Sequence, residues 1–462
     1  MSAARTLAFI GGLTWDDVPV AVRERVAWLF LDASVAAERA RALDAARIAA
    51  DHAAAVYGGS AATCLYDGRR VSAPGAAWAN GTLMNALDLD DGHPLAKGHP
   101  GAVVIPAALA VAEQVGADLT RLVTAVVVGY EIGVRAAVQQ HARWPLFHST
   151  GTWGTVAAAA SAAHLLGLDA RRTDHALGLA EYHSPTDLIM RAVAEPSMAK
   201  DAMGWGAQTG VAAALLAADG FTAHRSEFLE GRSDDGLGER WEVLDVYVKP
   251  FPCCRWAHPA LAAARTLLDR LGVPGLRADD VARIEIRTFE AAAGLSRGVP
   301  RTSEEAQFNL PWPVACLLAT GAFDLGCVTT GLGDRAVAEL MARVEVVVDP
   351  ALTAGFPQVR RSEVTVTLAD GRTVASGEAA AAGDADDPGW TGVVRAKLNP
   401  ADRARLDATG LNPEPGDGTL AGRGLADLMA ALTYPLTPAD TDRPDTDPSD
   451  TDQQKETSHA HA

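Results

Sequence analysis

Four stretches of the chain gather carboxylates, histidines and cations into loops that open helices. In ALDLDDGHPLAKGHPGAVVIP, Asp88, Asp90, Asp91, His93, Lys97 and His99 crowd a Gly/Pro-interrupted link between two apolar runs. Polar density beside helices is where binding and catalytic residues concentrate, although aspartates there also serve as helix caps. In LFHSTGTWGTVAAAA, His148, Ser149 and Thr150 precede a glycine-bounded helix start, whose free backbone N–H groups suit an anion such as a carboxylate. MAKDAMGWGAQTG sets Lys200 at another glycine-rich helix entry, and VYVKPFPCCRWAHPA supplies Lys249, Cys254, Arg255 and His258. Arg255 can clamp a carboxylate through two parallel hydrogen bonds. Each stretch alone has a plain alternative: an exposed lysine, a capping aspartate, a space-filling histidine, or adjacent cysteines acting as small buried apolar groups. Four together favour a substrate bearing several carboxylates. His99 and His148 titrate naturally near neutrality and so offer an acid and a base, with Asp88 orienting an imidazole; the residues do not say which histidine is which. A Mg²⁺, Mn²⁺ or Fe²⁺ site is the weaker reading, because no second His/Glu motif of ligand spacing accompanies the first.

These loops need rigid elements to position them. From residue 18 to about 220 the sequence is alanine-rich with apolar residues recurring at three and four, as in VPVAVRERVAWLFLDASVAA and GTVAAAASAAHLLGL, which predicts many packed helices. Several are apolar nearly all round, which places them inside a helical domain. After about residue 256 the period changes. The helix HPALAAARTLLDRLG leads to the strands VARIEIRTF and VEVVVD, and to the pair SEVTVTL and RTVASGE, which flank Asp370-Gly371 as in a hairpin. The expected architecture is therefore mostly α: a large all-helical domain over 5–255 with a C-terminal helical return at 401–435, and a smaller α+β lid domain over 256–400. The segment 437–462 is Asp-, Thr- and Pro-rich and is expected to be a disordered acidic tail.

A hydrophobic share of 48% against 21% charged residues allows a large core, which excludes disorder throughout. The formal net charge of -18 removes the attraction to phosphates on which non-specific nucleic-acid binding depends, so neither nucleic acid nor an anionic membrane is an expected partner. An acidic protein that binds an acidic ligand must build a local positive pocket. Five cysteines, an odd number without a CxxC pair, and an N-terminus that reaches acidic residues before any signal-like apolar run is complete, lead us to expect a reducing cytoplasm.

The pieces LDLDDGHP with HPGAVVIPAALAVAE, FHSTGTWGTVAAAASAAHLLGL, AKDAMGWGAQTGVAAALLAADGF, KPFPCCRWAHPA and EEAQFNLPWPVACLLATGAFDLG, in this order, resemble the MmgE/PrpD family over roughly residues 5–435. That family includes 2-methylcitrate dehydratase, cis-aconitate decarboxylase and iminodisuccinate epimerase. The resemblance implies a helical domain with a smaller α+β lid, a homodimer, a site between the two domains that needs no metal or other cofactor, and catalytic residues at Asp88, His99, His148, Lys200 and Lys249. His93, Ser149, Thr150, Cys254, Arg255 and Trp312 are the expected substrate contacts. The chain departs from the decarboxylase pattern at Gly92, Cys254 and Trp312, where that pattern has threonine, histidine and tyrosine. After Lys200 it has DAMGWGA where many relatives have an arginine-leucine-histidine run. The expected activity is dehydration of a small hydroxy polycarboxylate of the 2-methylcitrate type. Decarboxylation and epimerisation share its proton chemistry, and an inactive binding protein is disfavoured by the five retained polar positions.

Overall fold

The computed structural model describes residues 2–398. The helical return expected over 401–435 and the acidic tail at 437–462 lie outside the described residues.

The alanine-rich part folds as helices. Those that build its core are α1 (Val20–Ala40), α2 (Ala73–Asn85), α3 (Gly101–Val115), α4 (Leu119–Arg143), α5 (Thr150–Leu166) and α6 (Met203–Ala218). Small side chains let them approach closely: α5 packs against α4 on one side and α6 on another, and α2 lies on α3 and α6. Every residue of α3 from Gly101 to Ala112, and of α5 from Thr150 to Ala163, is buried. Such helices are apolar all round because they have no solvent face. Among the described residues α4 is the one helix long and apolar enough to cross a membrane, yet 89% of its apolar window is buried against its neighbours. It is a buried core helix of the bundle, packed chiefly against α5. Its first turn is capped by Asp118, whose carboxylate accepts from the Arg121 amide.

From α7 (His258–Leu271) onward the chain is mixed. The strands β1 (Val281–Thr288), β2 (Val344–Val348), β3 (Arg361–Leu368) and β4 (Thr373–Ala375) line up in the order β2-β1-β3-β4, with β1 and β2 parallel and the other pairs antiparallel. The hairpin expected across Asp370-Gly371 forms, pairing Thr365 with Ala375 and Thr367 with Thr373. Ser362, Val364, Val366 and Leu368 of β3 point inward, and α7 packs over that strand through a face that buries Leu261, Ala264, Leu267 and Leu268. Period two against period three and four thus builds a one-sided sheet with a helix on it. The helix α8 (Pro311–Thr320) packs beside α7.

The chain then goes back to the helical domain. In α9 (Trp390–Ala396) the Trp390 indole donates to the Val246 carbonyl at 3.0 Å, and Arg25 lies 4.2 Å over its ring. Lys397 bonds the buried Asp32 carboxylate at 2.5 Å and the Leu89 carbonyl at 2.9 Å. The α+β domain is thereby tied at both ends to the helical one, and the seam between them holds the charged loops.

Candidate active site at the domain seam

Asp88, Lys97, Lys200 and Ala202 all have left-handed backbones, with φ of 53°, 53°, 43° and 56°; among the described residues only Tyr66 joins them as a non-glycine of this kind. Each such residue costs roughly 1–2 kcal/mol, and that conformation persists where surrounding structure dictates it. All but Tyr66 lie in the two loops that meet here. The second loop sits against the first turn of α5: the Gly151 amide donates to the Asp201 carbonyl at 2.9 Å, and a Cβ on Gly151 would stand 2.5 Å from the Ala202 carbonyl oxygen. Only glycine admits that contact.

The result is a buried charge cluster. Asp88 Oδ1 lies 3.1 Å from Lys249 Nζ, 3.7 Å from His99 Nε2 and 3.9 Å from Lys200 Nζ. Burial pushes the Asp88 carboxyl up, but Lys249, Lys200 and His99 outweigh it and hold it well below the usual carboxylate range. Burial likewise disfavours the Lys249 ammonium, and here Asp88 and Asp90 prevail and hold it above the usual lysine range. Lys200 is held below that range because burial dominates; its ammonium donates to the Asn85 carbonyl at 2.5 Å and to Gln307 Oε1 of the α+β domain at 2.7 Å. His99 Nδ1–H donates to the Asp91 carbonyl at 2.7 Å, so its Nε2 faces Asp88 and Asp201, the latter 3.6 Å away. Burial and Lys249 oppose the imidazolium, yet Asp90 and Asp88 raise His99 above its ordinary value. Asp91 has no free edge: it accepts from the Gly101 amide at 3.0 Å and the Tyr130 hydroxyl at 2.7 Å, and burial pushes it up to about 7.

Above the cluster lies a cavity with about 70 Å³ of water-accessible volume, lined by Asp88, His99 and Asp201 below and by Lys97, Tyr247, Cys254, Arg255 and Arg360 around it. At roughly 15 Å³ per water it holds about five waters, the scale of a small organic acid. Arg255 and Arg360 each stack on the Tyr247 ring, at 4.8 and 4.9 Å, and Arg255 is also fixed by Asp384 at 2.7 Å. The ring fits because position 92 is glycine; a Cβ there would meet the Tyr247 ring and hydroxyl at 2.4 Å. In the cavity wall, Phe147 of the helical domain lies against Trp256 and Phe356, with ring centres 6.1 and 6.2 Å apart, and Lys97 Nζ lies 4.4 Å over the Phe147 ring.

Of the expected residues, Asp88, His99, Lys200, Lys249, Cys254, Arg255 and Thr150 come together here. Thr150 Oγ1 accepts from the His99 amide at 3.1 Å. His93 lines the cavity, but its Nδ1 accepts from the Ala96 amide and its Nε2 faces Glu242, so it braces the loop; burial takes it down to about 3. The Cys254 thiol is pushed up to about 12 by burial, then by Asp88. Three expected residues are placed elsewhere. His148 lies beside His141, ring centres 5.9 Å apart, and lines a separate cleft with Gln139, Arg143, Trp144 and Glu181. Ser149 Oγ pairs with Thr152 Oγ1 at 3.3 Å. Trp312 is fully buried within the α+β domain, its indole donating to the Cys327 carbonyl at 2.9 Å. The start of α5 is closed to an anion as well, since the Asp201 and Ser149 carbonyls take the Gly151 and Thr152 amides. Asp201, Tyr247, Gln307 and Arg360 escape the sequence reading. Asp201 had a signal, its place beside Lys200 in a glycine-rich entry; Arg360 had none.

Asp88, Asp90 and His99 are near enough to one another to suggest a cation site. They do not fit one. Lys249 and Lys200 already crowd Asp88, and the His99 nitrogen nearest Asp90 spends its proton on the Asp91 carbonyl.

The chain matches the model of the MmgE/PrpD N-terminal domain over residues 5–239 and that of the MmgE/PrpD C-terminal domain over 251–409. Similar proteins include a cis-aconitate decarboxylase-like protein, oryM, from Aspergillus oryzae, 28% identical over 55% of this chain and 60% of that protein. Another is a cis-aconitate decarboxylase from Aspergillus terreus, 23% identical over 68% of this chain and 70% of that protein. The chain thus spans about three-fifths of the length of the first relative and rather more of the second. With both domain models matched in order across the seam that holds the charge cluster, the chain belongs to the MmgE/PrpD family.

Proposed function

We propose that this chain is a cofactor-independent carbon–oxygen lyase that dehydrates a small hydroxy polycarboxylic acid of the 2-methylcitrate type. The observation that carries the reading is a histidine with a raised pKa, His99, whose Nε2 faces a small buried cavity rimmed by Lys97, Arg255 and Arg360. The rim cations suit carboxylates, and the imidazolium suits a departing hydroxyl. A proton beside a carboxylate is weakly acidic, so its removal needs the negative charge that develops there to be met by fixed cations in a site shielded from bulk water. Lys249, held protonated by Asp88 and Asp90, supplies fixed charge and is a poor base. Its part is to keep Asp88 ionised beneath His99.

Decarboxylation is the second reading, favoured by the similarity to the cis-aconitate decarboxylase of Aspergillus terreus. It differs only in what leaves: carbon dioxide, with the carbanion then protonated. Incubation in D₂O with citrate, 2-methylcitrate and cis-aconitate separates these cases. Dehydration gives deuterium beside a carboxylate and interconversion of hydroxy and unsaturated acids; decarboxylation gives carbon dioxide from cis-aconitate. Tight binding by calorimetry with neither outcome would make the chain a binding protein and end the lyase reading.

A further inference from the structure

We infer that Asp201 is the base of this site, its carboxylate taking the proton from carbon while His99, beside it on the same cavity wall, gives its Nε2 proton to the departing hydroxyl. The inference rests on the lyase reading above and adds the group that reading lacks.

Geometry selects Asp201. Asp201 lines the cavity, its Oδ2 lies 3.6 Å from His99 Nε2, and its buried Oδ1 has no hydrogen-bond partner, so the carboxylate keeps an unspent acceptor. Its backbone is pinned to α5 by the Gly151 amide, and Thr150 Oγ1 stands 3.4 Å from Oδ2. The charged and titratable groups around it are His99, Asp88, Lys200, Asp90 and the Cys254 thiol. None of these can replace it. Asp88 is held far below the usual range and so is a feeble proton acceptor. Asp90 is not at the cavity wall and binds the Asn85 amide at 2.9 Å. Lys200 spends its protons on Asn85 and Gln307, and Cys254 is too weak an acid to be a thiolate near neutrality. Asp201, raised to about 6 chiefly by burial, is ionised at neutral pH and still basic. Asp88, held ionised, and Asp201, raised toward neutrality, both face the same His99 nitrogen, so the first stabilises the imidazolium and the second is left to take a proton.

The step balances. The C–H bond breaks and its proton goes to the Asp201 carboxylate; the electron pair becomes the new C=C bond; the C–O bond breaks; and the hydroxyl leaves as water with the His99 proton. The site is left with a neutral carboxylic acid and a neutral imidazole, and transfer of the proton from Asp201 back to His99, across 3.6 Å or through one water, resets it.

The test uses the full chain and its Asp201→Asn and Asp201→Glu variants, each with citrate and cis-aconitate in D₂O. Asp201→Asn should lose at least about a hundredfold in deuterium exchange, with calorimetric affinity within about threefold of wild type. Wild-type kcat/KM should fall below about pH 6, and that acid limb should be missing from any residual activity of Asp201→Asn. Should Asp201→Asn not fold, Asp201→Glu decides: a lowered kcat with KM near wild type and the acid limb kept supports the role, whereas an unchanged kcat overturns it. Exchange by Asp201→Asn within about tenfold of wild type puts the base elsewhere. If the wild type binds these acids but exchanges no proton, the lyase reading fails, and the assignment of Asp201 falls with it.

Discussion

Lys249 has no solvent-exposed surface and sits 3.1 Å from Asp88, so removing its charge strands two buried carboxylates, Asp88 and Asp90. Breaking such a pair from one side costs about 3–5 kcal/mol, because the orphaned charge keeps its desolvation penalty. Lys249→Met should lose that much in urea unfolding at pH 7, and Asp88→Asn in the same chain should recover most of it. A loss under about 1 kcal/mol would show that water reaches the cluster. Gly92 makes a second case. Gly92→Thr drives a side chain into the Tyr247 ring and should cost about 1–3 kcal/mol in stability, with Tyr247→Val in the same chain restoring it. Asp88, His99, Lys200, Lys249, Cys254 and Arg255 were legible in the sequence because each lies in a dense polar loop. Tyr247 was not, since its meaning comes from two arginines 8 and about a hundred residues further along that stack on it only in the folded chain.

At the scale of elements, the site depends on how near α5 comes to the loop that carries Lys200 and Asp201. Gly151→Ala places a methyl group 2.5 Å from the Ala202 carbonyl, and backbone has no rotamer with which to yield. The variant should stay folded, lose about 1–3 kcal/mol, and lose far more in kcat than in affinity for citrate, because the loop moves away from His99. Wild-type kcat in this variant would show that the contact serves packing alone. The helices, the hairpin at Asp370-Gly371 and the one-sided sheet were readable from period and turn chemistry. The aim of the loops was not: His148 and Lys97 flank the same seam, yet one turns to a cleft beside His141 and the other to the cavity. Periodicity locates a loop in the chain but carries no information on where its side chains point.

Across the whole molecule, stability responds to pH through groups buried in the wrong charge state. Asp91, raised to about 7 chiefly by burial, keeps its proton in the folded chain from about pH 4 upward, where the unfolded chain has released it. Its favourable contribution to folding is therefore complete below the ordinary carboxylate value and is lost as pH climbs to 7. His93 and His141, lowered by burial to about 3 and 4, act oppositely, and their contribution is lost as pH falls through the same span. Asp91→Asn can keep both the Gly101 and Tyr130 hydrogen bonds while removing one side of this opposition. Relative to wild type it should gain stability between pH 4 and 7, on the order of 1 kcal/mol per pH unit, as read from chemical unfolding at several pH values; a difference that does not change with pH would mean Asp91 is ionised in the native state. The triad of Phe147, Trp256 and Phe356 in the cavity wall has a kinetic consequence of its own. A carboxylate settling against three rings sheds hydration that Arg360 and Lys97 must replace, so a partly protonated acid should be captured faster than its fully ionised form even where the two are held equally well once bound.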